Sequence, residues 1–425
     1  MERLKERVAH IGQYAVTLLK WMVLGGVIGL VGGIIGSLFH IGVDTATQVR
    51  LAHSWVLYLM PVGGLAIVGL YRLTKTEGKG TNDVIASVHF GEQVPGLLVP
   101  VIFVSTVITH LCGGSAGREG AALQMGGTIG QCMGRTFRLD DRDLRVATLA
   151  GMAAFFSALF GTPLAATVFA IMVISIGVLY HVALYPSLLA ALVAYGVSVR
   201  LGVEPTRFTV AVPDQSVGMF VRVAALGVLC ALVSILFCKL MHGAGHLMKR
   251  IKNPWLRVIC GGFAVIALTW VFGTDYNGAG MDIVTRAIEQ ETVAVPWAFL
   301  LKLVFTAVTL AAGFKGGEVV PSFFVGATFG CAVSPLLGLP VGFGAAVGLA
   351  AVFCGVTNCP VASTLLAVEL FGAEGMLYFA LACCLSYMLS GYQGLYSSQT
   401  ILYSKLKAQF INVHTNAYHA GEKTE

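Results

Sequence analysis

Residues 110–130 read HLCGGSAGREGAALQMGGTIG and place two charged residues, Arg118 and Glu119, inside a glycine-rich break between apolar segments. A charge within a hydrophobic chain is costly, so an ionisable residue in such a place is by default a functional-site hypothesis. Glycines permit close helix packing and broken helices. The stretch therefore predicts an all-α, polytopic membrane protein organised around a charged break. The plainer alternative is a loop carboxylate that pairs with Arg118 at the membrane edge.

The composition of the whole chain agrees with a membrane protein. Of its 425 residues, 56% are hydrophobic and 11% are charged, whereas soluble domains carry roughly 25% charged residues. Many apolar stretches approach the ~20 residues that span a bilayer. No short apolar region ends in a convincing cleavage site, so we expect a retained first helix and no signal peptide. Basic residues flank the apolar segments, and by the positive-inside rule we expect both termini to be cytoplasmic. The expected localisation is the plasma (inner) membrane, with several passes.

Other classes of protein receive no support from the sequence. The net charge of +6 is explained by the basic flanks and gives no reason to expect nucleic acid. The ten cysteines lack paired CxxC spacing and lie mostly in apolar surroundings. Such cysteines are typically small buried hydrophobes, so we expect neither disulfides nor metal ligands, and no cofactor.

The two halves of the chain resemble each other at an offset of about 200 residues. Gly117 and Glu119 match Gly316 and Glu318, and Pro163 matches Pro360. The further matches are Gly126, Thr128 and Gly130 with Gly326, Thr328 and Gly330. We therefore predict a single transport domain over residues 1–425 that contains two repeats, 14–202 and 215–404, and a short cytoplasmic tail, 405–425. Transporters often place their site where broken helices of two repeats meet.

Four glycine-containing breaks are predicted to be helix starts that face a common centre. They are Gly78-Lys79-Gly80-Thr81-Asn82, Gly117-Arg118-Glu119-Gly120, Gly316-Gly317-Glu318-Val319-Val320-Pro321 and Gly394-Leu395-Tyr396-Ser397. A helix amino terminus offers free N–H groups and a partial positive charge, which suit an anion. A tyrosine hydroxyl can add a further donor. The pattern predicts a desolvated anion held mainly by backbone amides.

These motifs resemble those of the CLC family of chloride channels and proton-coupled anion exchangers. GREG at 117–120 resembles the family's gating-glutamate motif, and LYSS at 395–398 resembles its tyrosine segment. GKG at 78–80 and GGEVVP at 316–321 occupy the places of its other two motifs. The resemblance implies a homodimer in the lipid bilayer, with an anion pathway in each subunit built from two inverted repeats. It implies that Glu119 gates the anion and couples it to protons. The implied anion-binding residues are Gly78, Lys79, Gly80, Gly117, Arg118, Gly120, Val319, Val320 and Tyr396.

Departures from the family pattern bear on the choice of anion. GGEV resembles the fluoride/proton antiporter branch, although Val320 stands where that branch commonly has threonine, and Lys79 replaces a serine. The family's inner acidic position falls near Met172 and Val173, which makes Glu318 a candidate for an alternative proton path. We therefore expect fluoride export coupled to protons, with a chloride channel or chloride/proton exchanger as the alternative. Only 25 residues follow Thr400, so we expect no regulatory nucleotide-binding domain.

Several residues have two interpretations. Lys79 is either a solvated lysine at the cytoplasmic mouth or a charge that attracts anions. Glu318 is either a proton relay or a helix-start residue that accepts amide hydrogen bonds. Glu369 either makes structural hydrogen bonds, which we favour, or takes part in transport, and His110 is expected to be structural or interfacial. A second class of function, an intramembrane serine hydrolase, rests on the GxSxG match at Ser115, which lacks a preceding strand and a well-placed histidine.

Overall fold

The computed structural model describes residues 2–292, 295–407 and 409–416, and helices dominate these ranges. The first eight helices lie in the first half of the chain. They are α1 (Glu2–Ala52), α2 (Met60–Leu73), α3 (Thr81–Phe90), α4 (Leu98–Leu111), α5 (Glu119–Thr136), α6 (Asp141–Phe160), α7 (Pro163–Met172) and α8 (Leu184–Arg200). The second half contributes α9 (Val217–Met248), α10 (Pro254–Phe272), α11 (Met281–Glu289), α12 (Ala298–Ala312), α13 (Val319–Leu337), α14 (Val341–Thr357), α15 (Pro360–Phe371) and α16 (Met376–Leu389). The all-α, polytopic fold class is confirmed.

Within the described residues, 7 helical segments are long and apolar enough to cross a membrane. Other apolar helices are too short for this, among them α7 and α15. Each short helix follows a residue with a left-handed backbone, Gly161 before α7 and Asn358 before α15. A proline then occupies the first helical turn of each, where its missing N–H costs nothing. The matching residues Pro163 and Pro360 thus begin equivalent short helices.

The order of helices in the first half recurs in the second half. Helices α4, α5 and α6 begin 200 residues before α12, α13 and α14, and α7 begins 197 residues before α15. The same offsets separate Gly126 from Gly326 and Pro163 from Pro360, whereas Glu119 and Glu318 are 199 residues apart. The similarity between the halves therefore extends from individual residues to the arrangement of helices.

Glycines pack α5 against α6 in the same way as they pack α13 against α14. A Cβ on Gly126 would lie 2.4 Å from the carbonyl oxygen of Gly151, and a Cβ on Gly326 would lie 2.4 Å from that of Gly348. Only hydrogen at these positions allows the helix backbones to touch, as in the small-xxx-small contacts of membrane helices. Helix α14 is buried along almost its whole length. The two equivalent helix pairs thus form a buried interior. The charged breaks lie at the N-terminal ends of α5 and α13.

A small three-stranded sheet joins the two halves. Strand β1 (Ser175–Ile176) pairs in parallel with β2 (Thr400–Tyr403), which pairs antiparallel with β3 (Phe410–His414). The Tyr396 segment therefore leads into a strand, and the predicted fourth helix start is wrong. The β-branched pair Thr400-Ile401 favours a strand, and the buried Ile401 packs with Ile176 and Ile411. Part of the predicted tail, residues 408 and 417–425, lies outside the described residues.

Candidate anion and proton site

Two glycine-rich breaks meet directly at the centre of the molecule. Gly117 and Gly317 exchange two backbone hydrogen bonds, each 2.7 Å from nitrogen to oxygen, in an isolated antiparallel bridge. A Cβ on Gly317 would lie 2.2 Å from the amide nitrogen of Gly120. The absence of side chains therefore brings the starts of α5 and α13 together, and the two breaks run in opposite directions where they touch.

Glu119 is the first residue of α5 and is only 1% exposed. Its carboxylate accepts a hydrogen bond of 2.9 Å from the backbone N–H of Arg118. The Nε atom of Arg118 lies 3.4 Å from the other carboxylate oxygen. The predicted pairing with Arg118 is present, but it lies inside the protein at a helix start. Glu119 thus occupies the kind of position that suits an anion, since its own carboxylate is held by an amide and a guanidinium.

A cavity of about 380 Å³ opens next to Glu119 and Arg118, and we call it the Glu119 cavity. Its charged lining is mixed, with Arg50 and Arg118 facing three aspartates, Asp44, Asp275 and Asp282. The C-terminal end of α1 forms one wall, and residues 274–282 form another. Glu119 therefore faces a cavity whose lining includes both positively and negatively charged side chains.

Glu318 lies at the start of α13 and lines two other cavities. One, of about 180 Å³, is also lined by Lys79, Gly80, Gly316 and Tyr396, and we call it the Glu318 cavity. The other, of about 250 Å³, leads past His242 and His246 to Lys249. Neither cavity shares a lining residue with the Glu119 cavity. The two carboxylates therefore face separate spaces on either side of the glycine bridge.

The carboxylate of Glu318 has a hydrogen bond from its own backbone N–H and none from the first turn of α13. Glu318 occupies the N-cap position of α13, but its side chain accepts no capping hydrogen bond. A Cβ on Gly120 would lie 3.2 Å from Glu318 Oε2, so the carboxylate lies beside the start of α5 instead. Glu318 of the second half is thereby brought close to α5, the helix that begins at Glu119.

Lys79 lies at the mouth of the Glu318 cavity and is paired with a carboxylate. Its Nζ lies 3.0 Å from Oδ1 of Asp83, one helical turn further on. Asp83 Oδ2 also accepts a hydrogen bond of 2.8 Å from the N–H of Gly80, which caps the start of α3. The aspartate thus offsets the charge of Lys79 and occupies one of the amides that the sequence predicted for an anion.

Tyr396 is 2% exposed, lines the Glu318 cavity, and has a hydroxyl without a hydrogen-bond partner among the described residues. Its segment is held by Leu395 N–H, which donates to Val356 O at 2.9 Å, and by Thr415 Oγ1, which donates to Tyr396 O at 2.6 Å. A buried hydroxyl that lacks a partner is costly. It is therefore free to donate to an ion in the cavity.

The remaining predicted residues are divided between the bridge and the cavities. Gly117 and Gly120 are buried at the bridge. Val319 and Val320 are buried in the first turn of α13. A Cβ on Gly117 would lie 3.1 Å from that of Val320, so this valine packs against the bridge. Gly78 lies in the loop before α3 and lines a further cavity that is described below. The structure thus brings the GKG, GREG and GGEVVP motifs and Tyr396 to one region.

Lys302, which is wholly buried, is not among the residues predicted from the sequence. Its Nζ donates to the carbonyl oxygens of Tyr276 and Gly278, at 3.1 and 2.7 Å. Gly278 in turn exchanges backbone hydrogen bonds with Gly114 and Ala116, just before the GREG motif. Lys302 therefore fixes the wall of the Glu119 cavity. The signal was present in the sequence, since this lysine interrupts the apolar run FLLKLVF at 299–305.

Other residues singled out in the sequence have structural contacts. Glu369 accepts hydrogen bonds from the N–H groups of Leu164 and Ala165, at 3.1 and 2.8 Å, and so caps α7 from the other half of the chain. This confirms its structural role. The hydroxyl of Ser115 pairs with Thr306 Oγ1 at 3.0 Å, not with a histidine as in a hydrolase triad.

Known proteins resemble this chain over nearly its whole length. The model of the family described as voltage gated chloride channel matches residues 63–391. The chain belongs to that family, the CLC family. The recognition made from the four motifs is confirmed, and with it CLC-type anion transport.

Three proteins, one known by sequence and two by structure, are similar to this CLC protein. A chloride/fluoride channel protein of Pseudomonas syringae pv. tomato is 40% identical over 400 residues, which are 91% of this chain and 88% of that one. The crystal structure of a CLC-type fluoride/proton antiporter has a TM-score of 0.87 at 32% identity, and the match covers 90% of this chain and 98% of that one. The structure of a slow cyanobacterial chloride/proton antiporter has a TM-score of 0.74 at 17% identity, which shows the shared fold alone.

Proposed function

We propose that this CLC protein exports fluoride in exchange for protons. The observation that carries the proposal is the pair of repeat-equivalent acids, Glu119 and Glu318, on either side of the glycine bridge. The apolar Met172 and Val173 stand near the family's inner acidic position and cannot carry a proton. The two protonatable side chains, which lie in separate cavities, can carry protons instead. The similarity to a CLC-type fluoride/proton antiporter supports the same choice.

Glu119 links the two fluxes in this proposal. As a carboxylate it occupies the amide and guanidinium donors at the start of α5, which are the donors that suit an anion. Protonation removes its charge and weakens that hold. The side chain then leaves the donors to a fluoride ion, and its return to the ionised state releases a proton.

Glu318 and Tyr396 act on the opposite side of the bridge. Glu318 exchanges protons with the cavity that leads to His242, His246 and Lys249. Tyr396 donates its free hydroxyl to the anion in the Glu318 cavity. Since Lys79 is paired with Asp83, we assign the lysine a supporting role at the mouth and not direct coordination.

A chloride channel or chloride/proton exchanger is the alternative function. It is favoured by the buried, apolar Val320, which offers no hydroxyl to a small, strongly hydrated anion. Efflux from proteoliposomes, followed with fluoride and chloride electrodes with and without a pH gradient, separates the two. We expect fluoride efflux to exceed chloride efflux and to respond to the gradient, whereas chloride efflux equal to or above fluoride efflux would contradict the fluoride assignment.

Further aspects of the function follow from the CLC resemblance. We infer that the protein is a homodimer in the inner membrane, with both termini cytoplasmic, and that it is a transporter without enzymatic activity. We also infer that residues 14–202 and 215–404 are the two inverted repeats, which the matching helix offsets and the antiparallel bridge support. Chemical cross-linking in membranes tests the dimer, and labelling of a cysteine placed near each terminus tests the topology.

A further inference from the structure

A cavity of about 290 Å³ lies beside the Glu318 cavity and is not used in the proposed transport cycle. It is formed by the C-terminal part of α2 and the N-terminal part of α10, together with the loops that precede α3 and α13. We call it the Tyr71 cavity. Its polar lining consists of Tyr71, Glu77, Lys252, Arg257 and Lys315.

The cationic side chains of the Tyr71 cavity lie beyond salt-bridge distance of the described carboxylates, although Asp83 and Glu318 are near enough to attract Lys315. Within residues 2–292, 295–407 and 409–416, no salt bridge is formed by Lys252, Arg257 or Lys315. The Nε atom of Arg257 is buried without a hydrogen-bond partner. The one carboxylate in the lining, Glu77, is largely exposed and lies 3.9 Å from Nε of Arg72. The cavity therefore carries an excess of positive charge.

A buried neutral donor lies in the same wall. Tyr71 is 4% exposed, and its hydroxyl has no hydrogen-bond partner among the described residues. The Nζ atom of Lys315 lies 4.5 Å from the centre of the Tyr71 ring, so the tyrosine also positions the lysine. An unpaired hydroxyl and an unpaired guanidinium nitrogen, both buried, are costly unless a ligand satisfies them.

We propose that the Tyr71 cavity binds a phosphate group. The planar guanidinium of Arg257 matches the geometry of phosphate oxygens, and lysine is a common second phosphate ligand. The volume of about 290 Å³ is far more than a halide ion needs. Basic pockets between transmembrane helices bind anionic lipid headgroups, and the basic run Lys249, Arg250 and Lys252 directly precedes α10. The phosphate can thus belong to a lipid headgroup or be a free ion.

The site has a direct connection to the transport pathway. Lys315 lines both the Tyr71 cavity and the Glu318 cavity. A bound phosphate group draws this ammonium toward the Tyr71 cavity and lowers the positive potential beside Glu318. Occupancy of the site should therefore change the rate of anion transport as well as the stability of the protein.

Binding is tested on the full chain in a maltoside detergent, which carries no phosphate. Inorganic phosphate is titrated by calorimetry in one arm, and in the other phosphatidylglycerol is added while the thermal unfolding midpoint is followed, with phosphatidylcholine as the zwitterionic control. A ligand that binds only the folded state raises that midpoint. A response to inorganic phosphate identifies a free ion, and a response to phosphatidylglycerol alone identifies a headgroup. A response to neither overturns the proposal.

Variants assign the binding to the cavity. Tyr71→Phe removes only the hydroxyl, and Arg257→Gln removes the guanidinium; each should weaken binding by roughly tenfold or more, as expected for a lost hydrogen bond to a charged group. Lys75→Gln removes an exposed charge from the same side of the molecule and should bind as the parent does. Equal binding by the parent, Tyr71→Phe and Arg257→Gln would overturn the site, whatever the fluoride measurements show.

Discussion

The starts of α5 and α13 are equivalent by repeat, yet their acids have different surroundings. Glu119 is held by the amide and the guanidinium of Arg118, whereas Glu318 accepts no capping bond and has no salt bridge among the described residues. The cause lies one residue earlier, because Arg118 in GREG is matched by Gly317 in GGEV. The first acid therefore has an amide and a guanidinium that an anion can take over, whereas the second lies without a guanidinium partner in the lining of the Glu318 cavity.

The comparison predicts that Glu119→Gln has the largest effect. A glutamine cannot carry a proton, so we expect proton flux in proteoliposomes to fall to background while the protein stays folded. A pH electrode and a fluoride electrode in the same vesicles measure both fluxes. Glu369→Gln is the matched control, since that carboxylate caps α7 outside the cavities. Proton movement at the parent ratio in Glu119→Gln would show that this acid is not the gate.

A smaller effect is expected for Glu318→Gln. If Glu318 relays protons to a gate that remains intact, its loss should slow proton flux by on the order of 100-fold, the lower end of the range for a positioned proton-transfer group. Fluoride and proton fluxes should fall together, because Glu119 still couples them. The same vesicle assay measures both. Unchanged proton flux would assign Glu318 a purely structural place and remove the main support for the proposed route.

The sequence predicted the parts of this comparison that depend on local pattern. Charged breaks in apolar runs, Gly117 to Gly120 among them, were visible because ionisable residues are rare in membrane segments. The pairing of Gly117 with Gly317 could not be predicted, because it depends on how two distant halves pack. The salt bridge between Lys79 and Asp83 could have been predicted, because Asp83 lies four residues after Lys79. The strand after Tyr396 was missed because its partners, β1 and β3, are short segments whose pairing only the tertiary structure reveals.

The smallest effect is expected at Val320, where the second break departs from the fluoride branch. Val320→Thr keeps nearly the same shape and places a hydroxyl in the buried first turn of α13. A new hydrogen bond contributes about 0.5–1.5 kcal/mol, so we expect the ratio of fluoride to chloride flux to rise by a factor of about 2 to 10. Val325→Thr places the same group elsewhere in α13 and controls for the cost of burying a hydroxyl. A ratio that does not change, or that changes equally in both variants, would mean that anion selection rests on the Glu119 side of the bridge and not on the start of α13.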